Sequence, residues 1–196
     1  MKKVLIYPGA FNPPHYGHIS TVELVLKKQS FDEVWIIPSG KRDDKVIETS
    51  YEDRRNLGNI FVEFLKPKIG VPVKLVTDEL DDLDGKFTHE ILGKIKSQQG
   101  IEVTQLIGLD GMMNLYQKLR DSSAFETEKY TVVRRFGYET PESFFHNRNI
   151  VMIDGSQQDI SSTQIRNMIH CGDDNYKKLV PEKIADYIKN HSLYLN

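Results

Sequence analysis

The chain has 196 residues, 39% of them hydrophobic, enough for one core of useful size and too few for two independent large domains. Lys+Arg number 26 and Asp+Glu 28, for a formal charge of −2; that balance excludes a bulk positive field able to hold a nucleic-acid backbone, so any phosphate has to be bound by a local site. A single cysteine, Cys171, excludes an intramolecular disulfide and a Cys-rich zinc cage and fits a reducing compartment.

The apolar run Val4-Leu5-Ile6-Tyr7 is too short for a signal peptide, and no later run approaches the roughly 18 apolar residues of a membrane span. The expectation is a soluble cytoplasmic protein with no membrane partner. In chain order, this run is the first of six segments rich in β-branched residues that read as buried strands. It leads straight into Gly9-Ala10-Phe11-Asn12-Pro13-Pro14-His15-Tyr16-Gly17-His18 and an apolar helix over Ile19 to Leu26. This is the strand-to-helix turn at which α/β proteins place phosphates. Gly9 lets backbone amides reach a ligand with no Cβ in the way, and a helix starting near His15 offers unpaired N–H groups and the positive end of its dipole. His15 and His18, three apart, fall on one side of that helix. The pair reads in three ways: donors to nucleotide phosphates, metal ligands, or a helix cap and a core residue. Two histidines with no third ligand nearby fall short of the three protein ligands that a catalytic zinc takes.

Val34 to Ile37 is the second strand, with Trp35 reading as core, and the charged loop Lys41 to Lys45 follows. Leu57, Ile60, Phe61, Phe64 and Leu65 make one stripe of a helix, started by Ser50 with Asp53 in the place of the usual Glu of a capping box. Val73 to Val76 is the third strand. The acidic run Asp78 to Asp84, interrupted by Leu80 and Leu83, reads as a solvated loop. Val103 to Ile107 is the fourth strand, and Asp110 after it reads as the cap of a helix whose Met112, Leu115, Tyr116 and Leu119 are core. Tyr130 to Val133 and Ile150 to Ile153 complete the strands. Alternating strands and helices predict an α/β fold, a Rossmann-like parallel sheet with helices on both faces and ligands beyond the carboxyl ends of the strands.

After Ile153 the pattern turns to helices only: one from Ser161 to Ile169 and one opened by Pro181, with Ile184, Tyr187 and Ile188 on its apolar face. The expected organisation is a single domain over 1–196, an α/β core over 1–155 with a C-terminal helical cap over 156–196. Cys171 has only His170 beside it and receives no catalytic role. Within the cap, Ile160-Ser161-Ser162-Thr163-Gln164-Ile165-Arg166 sets three hydroxyl residues at a helix start. Alone, this is an N-cap with a choice of capping side chains. Arg166 alters the reading, because the dipole at a helix N-terminus favours anions by about 0.3–1 kcal/mol and repels cations. A bound polyphosphate removes the conflict: hydroxyls and N–H groups bind its oxygens, and the guanidinium adds paired donors and charge.

Both motifs resemble signatures of the nucleotidyltransferase superfamily, and the version Ile-Ser-Ser-Thr-x-Ile-Arg, with the C-terminal run from Leu179-Val180-Pro181-Glu182 to His191-Ser192-Leu193-Tyr194, resembles the nicotinate and nicotinamide mononucleotide adenylyltransferase family. Weaker landmarks that resemble the same family are Pro38-Ser39-Gly40 with Lys45, Arg54 with Leu57, Gly85-Lys86-Phe87-Thr88, Ile107-Gly108-Leu109-Asp110, and Val132-Val133-Arg134-Arg135-Phe136-Gly137-Tyr138. The resemblance implies an enzyme that transfers AMP from ATP to nicotinate or nicotinamide mononucleotide in NAD biosynthesis and releases pyrophosphate. It implies His15, His18 and Arg166 as catalytic residues. ATP would be bound by these three with Gly9, Ala10, Phe11, Gly108, Asp110, Ile160, Ser161, Ser162 and Thr163, and the mononucleotide by Asn12, Lys45, Arg54, Thr88 and Arg135. It implies Mg²⁺ carried mainly on the ATP phosphates, with no metal held by the protein. The partners expected are therefore ATP and a pyridine mononucleotide, with no nucleic acid; self-association stays open.

Three positions depart from the family pattern. Pro8 stands where many relatives have a first glycine. Lys118 stands near where a tryptophan stacks on the pyridine ring, which leaves Tyr116, Phe87 and Phe136 as stacking candidates. Asn12 replaces the aspartate common in bacterial relatives, and an amide neither repels a carboxylate nor requires a cation. Two other functions accompany this one: nucleotidyl transfer to another phosphate acceptor such as phosphopantetheine, and a non-catalytic nucleotide sensor that kept the pocket.

Overall fold

The computed structural model describes residues 1–40, 47, 49–81, 93–95, 97, 100–119, 127–134, 139–140, 142, 147–155 and 160–195, with the backbone alone at 79, 81, 118 and 119. All six predicted strands form: β1 Lys2–Gly9, β2 Glu33–Pro38, β3 Val73–Leu75, β4 Ile101–Gly108, β5 Lys129–Val133 and β6 Ile150–Ile153. They make one sheet in the order β3-β2-β1-β4-β5-β6, with every pairing parallel. The chain begins at the centre, winds out through β2 and β3, then returns to lay β4 along the other side of β1. That return makes the β1/β4 boundary the switch point, where a crevice opens beyond the carboxyl ends of the strands. β1 ends there in Gly9 and β4 in Gly108.

The helices are α1 Tyr16–Lys28, α2 Tyr51–Ile69, a single turn α3 Asp78–Asp81, α4 Leu109–Leu119, α5 Ser162–His170 and α6 Glu182–Asn190, with a 3₁₀ turn over Asp174–Lys178. Period-two alternation divides the strand side chains between the two faces. Leu5, Val34, Ile36 and Leu106 point to one face and pack with Val22 of α1, Leu57, Phe61 and Leu65 of α2, Ile165 of α5 and Ile184 of α6. Val4, Ile6, Trp35, Ile37 and Val103 point to the other. Farther along that second face, Tyr130 and Val132 meet Leu109 and Met112 of α4.

Three local expectations change. Residues 78–81 of the acidic run form a helical turn instead of a solvated loop, because Leu80 is only 2% exposed and its N–H bonds the Thr77 carbonyl at 2.7 Å; residues 82–84 lie outside the described residues. Asp110 sits inside the first turn of α4, which already begins at Leu109. Pro181 is the N-cap of α6, one place before its first helical residue. Among the described residues, no helix is long and apolar enough to cross a membrane.

The start of α2 forms as its sequence predicts. The Asp53 N–H donates to Ser50 Oγ at 3.0 Å, and the Ser50 hydroxyl donates to Asp53 Oδ2 at 2.6 Å. The other carboxylate oxygen of Asp53 accepts from the Tyr187 hydroxyl of α6 at 2.9 Å, and the same hydroxyl accepts from Asn56 Nδ2 at 2.9 Å. The capping residue pair of α2 is thus also the docking point for α6. Ser50→Ala should cost about 1 kcal/mol of unfolding free energy, measured by urea denaturation with an unchanged m value; an unchanged midpoint would show that the cap adds nothing.

Candidate active site

The first loop is built around one buried ring. A Cβ on Gly9 would sit 3.2 Å from the Phe11 ring, and Phe11, at φ 46°, turns the chain in the left-handed region. Its ring is buried against Tyr7 at 5.3 Å, Phe61 at 5.6 Å and His18 at 4.9 Å between centroids. Glycine at 9 therefore makes room for Phe11 as well as for a ligand. Anchored in this way, the loop carries Asn12 to Pro14 over the end of β1 and delivers His15 to the N-cap of α1.

The His15 N–H donates to His18 Nδ1 at 3.2 Å, and the His15 carbonyl accepts from the His18 N–H at 3.0 Å. The two imidazoles lie against each other, 3.7 Å between centroids and tilted by 32°. Because His18 Nδ1 accepts a backbone hydrogen, the neutral ring carries its proton on Nε2, its donor atom. Gly17 completes the arrangement. A Cβ there would meet His15 Nδ1 at 2.9 Å and Cε1 at 3.0 Å, so only glycine leaves the His15 ring where it is.

The second motif closes on the first. Ser161 caps α5 by accepting the Gln164 N–H at 3.1 Å, and Ile160 and Ile165 enter the core. Ser162 Oγ donates to the Pro13 carbonyl at 2.9 Å. Arg166 Nη1 donates to the Asn12 carbonyl at 2.9 Å, and Nη2 reaches Thr163 Oγ1 at 3.3 Å. The loop carbonyl thus offsets part of the misplacement of Arg166. A guanidinium has five N–H donors, so these contacts leave capacity for a phosphate. The helix starts point the same way: α2, α4 and α6 carry Glu52 and Asp53, Asp110 and Glu182 in their first turns, whereas α1 and α5 carry no acid there. Their dipoles are not neutralised by the protein's own carboxylates, the condition that favours an anionic ligand.

Comparison with known proteins agrees with this geometry. Residues 6–168 match the family model described as cytidylyltransferase-like. A protein of Clostridium acetobutylicum named "Probable nicotinate-nucleotide adenylyltransferase" is 32% identical, covering 100% of both chains. One of the same name from Fusobacterium nucleatum is 30% identical over 94% of this chain and 100% of its own. The chain belongs to the nicotinate-nucleotide adenylyltransferase branch of the cytidylyltransferase-like family. The fold is shared more widely: nicotinic acid mononucleotide adenylyltransferase of Plasmodium falciparum, solved in complex with NaAD, superposes with a TM-score of 0.82 at 20% identity over 99% of this chain and 98% of that one.

Within this family fold the structure brings Gly9, Ala10, Phe11, Asn12, His15, His18, Ile160, Ser161, Ser162, Thr163 and Arg166 together at the end of β1. Gly108 and Asp110 stand at the end of neighbouring β4, where a Cβ on Gly108 would come within 2.8 Å of Asp110 Oδ1. Arg54, expected from the family resemblance on the mononucleotide side, is 1% exposed. Its Nη2 donates to the Ala10 carbonyl at 3.0 Å and also to the Ser39 carbonyl, tying the loop after β1 to the end of β2. Lys45, Thr88 and Arg135 lie outside the described residues, as do Phe87, Phe136 and the side chain of Lys118. Tyr116, the remaining stacking candidate, packs against the core of α4.

Two contributors escape a sequence reading. Gly17 acts through space on His15, and Tyr194 donates its hydroxyl to Asn12 Oδ1 at 2.7 Å from 182 positions away. Burial raises the Tyr194 phenol above its ordinary range, against the opposing pull of the Thr49 hydroxyl and the charges of Arg166 and Arg54. Gly17→Ala separates site from scaffold. Alanine favours a helix over glycine by about 0.5–1 kcal/mol, while a ring displaced by about 1 Å can cost about 10²-fold in rate. Melting should stay level or rise as adenylyl transfer falls by that order; full activity would show that the His15 position is immaterial.

Proposed function

We propose that this chain transfers the adenylyl group of ATP to the 5′-phosphate of nicotinate mononucleotide, a step of NAD biosynthesis. An acceptor phosphate oxygen forms a bond to the α-phosphorus, the bond from that phosphorus to the β-phosphate bridging oxygen breaks, and pyrophosphate leaves with the electron pair. The observation that carries the proposal is the closure of the two phosphate motifs on each other through the Asn12 and Pro13 carbonyls. It sets His15, His18, Ser162, Thr163 and Arg166 around one volume at the switch point of the sheet. The names of the relatives support the nicotinate acceptor. The neutral Asn12 suits nicotinamide mononucleotide equally, so both acceptors belong in the assay.

Direct transfer needs no covalent enzyme intermediate, and catalysis is positioning and charge stabilisation. His15 and His18 offer ring donors to the phosphates, the α1 and α5 N-termini orient them, and Arg166 takes up negative charge as the pyrophosphate departs. Ala10, Phe11, Gly108, Asp110, Ile160 and Ser161 line or support the ATP side in this proposal. Asn12, Arg54 and the undescribed Lys45, Thr88 and Arg135 serve the mononucleotide side. Among the described residues no three His, Cys, Asp or Glu side chains gather to hold a metal. Imidazole, hydroxyl and guanidinium donors suit phosphate oxygens, whereas Mg²⁺ takes oxygen ligands. The divalent ion therefore fits as part of the nucleotide, where it offsets charge on the phosphates. We read residues 1–196 as one domain, because the C-terminal helices complete the site begun at β1.

His18→Ala should lower turnover by about 10²–10³-fold, the usual loss for one preorganised donor, with the circular dichroism spectrum and melting curve retained. Near wild-type turnover would remove His18 from the mechanism. Pyrophosphate release from ATP should require nicotinate or nicotinamide mononucleotide; release only with phosphopantetheine or another phosphate acceptor would overturn the pyridine assignment. Tight ATP binding without turnover on any acceptor would favour a sensor.

A further inference from the structure

The Asn12 side chain is held from a part of the chain that neither phosphate motif contains. After α6, Leu193 packs against the core and its N–H bonds the Ile188 carbonyl at 3.0 Å. Ser192 and Tyr194 take φ of 51° and 66°, a left-handed conformation uncommon outside glycine that persists only where the surroundings fix it. These two residues turn the chain back so that the Tyr194 hydroxyl reaches Asn12 Oδ1 at 2.7 Å. The segment itself is steadied by Tyr187, which is hydrogen-bonded to Asp53 and Asn56 of α2.

The polarity of this contact matters more than its presence. A side-chain carbonyl oxygen only accepts, so the Tyr194 O–H is the donor to Asn12. The neighbouring charges of Arg166 and Arg54 favour the same polarity, because they attract the lone pairs of the phenolic oxygen and turn its hydrogen away. Asn12 is then fully assigned on its acceptor side, with the backbone carbonyl bound by Arg166 and Oδ1 by Tyr194. What remains is the Nδ2 amide, which carries two donors and no negative charge.

We propose that Tyr194 is a positioning residue for the acceptor nucleotide: the relay from the Tyr194 hydroxyl to Asn12 locks the Asn12 amide with its NH₂ group presented to the phosphate of the mononucleotide. This deepens the proposed adenylyl transfer and rests on it. Without the phenolic hydroxyl the amide rotates between two orientations, one of which presents its oxygen to an anionic substrate. The relay also makes the C-terminal segment part of the acceptor site, although it contributes no group that touches the reacting atoms.

The test compares wild type, Tyr194→Phe, Asn12→Ala and the double variant, with KM for each substrate, kcat and melting temperature measured for all four. Tyr194→Phe keeps the ring and loses only the hydroxyl. It should raise the mononucleotide KM about tenfold, the order of one charge-assisted hydrogen bond, while the ATP KM and melting temperature hold. The double variant should be no worse than Asn12→Ala alone, because the hydroxyl acts only through Asn12. Additive losses, an equal rise in the ATP KM, or wild-type kinetics in Tyr194→Phe would each overturn the relay. If the wild-type chain itself transfers nothing to a pyridine mononucleotide, the functional reading fails and takes the relay with it; if wild type is active and the losses add, the relay alone fails.

Discussion

Two backbone carbonyls hold this site together. Those of Asn12 and Pro13 lie in a loop that leaves the central strand, and they receive Arg166 and Ser162 from a helix about 150 positions later. Neither carbonyl could serve a regular ladder, since the loop has left β1 and has not yet entered α1. Each would face the cost of a buried, unpaired acceptor if the helix were absent. The same two bonds that satisfy the loop bring a second helix N-terminus to the first. Phosphate recognition here follows from solving a backbone hydrogen-bonding problem with side chains that carry donors.

Charge in this protein is arranged locally, which is why a net −2 is no obstacle to a polyanionic substrate. Three helices, α2, α4 and α6, begin with carboxylates that answer their own dipoles. The two that the loop carbonyls of Asn12 and Pro13 bring together, α1 and α5, do not. The protein leaves their N–H groups and partial charges for the ligand and adds two imidazoles and a guanidinium beside them. A small nucleotide enclosed at the switch point collects all of these groups at once. An extended polymer would meet the rest of the surface, where no net attraction exists.

Much of the fold was legible because its signals are short-range. Apolar β-branched runs and a 3.6-residue stripe report burial through neighbours in sequence, and all six strands and the principal helices appear where those periods place them. The first motif was legible for a similar reason: glycine, asparagine-proline and paired histidines at fixed offsets act within a single turn of chain. The misreadings arose where a distant partner decides. Leu80 pulled part of an acidic run into a helical turn by being buried; in the same way, the burial of Arg54 between two strand ends comes from partners that its own helix does not contain.

The sequence by itself determined the order of strands and helices, the phosphate-seeking chemistry of the two motifs, and the absence of a bulk charge field. Periodicity, capping and side-chain chemistry are properties of near neighbours, so they can be read along the chain. Only the tertiary structure decided that Gly17 exists to house the His15 ring, that Arg54 ties β1 to β2, and that Tyr194 aims Asn12. The Arg54 and Tyr194 contacts have partners set by the packing of the sheet and the return of the C-terminal helices, which no spacing within a motif encodes; the Gly17 contact depends on the three-dimensional path of the loop that places the His15 ring.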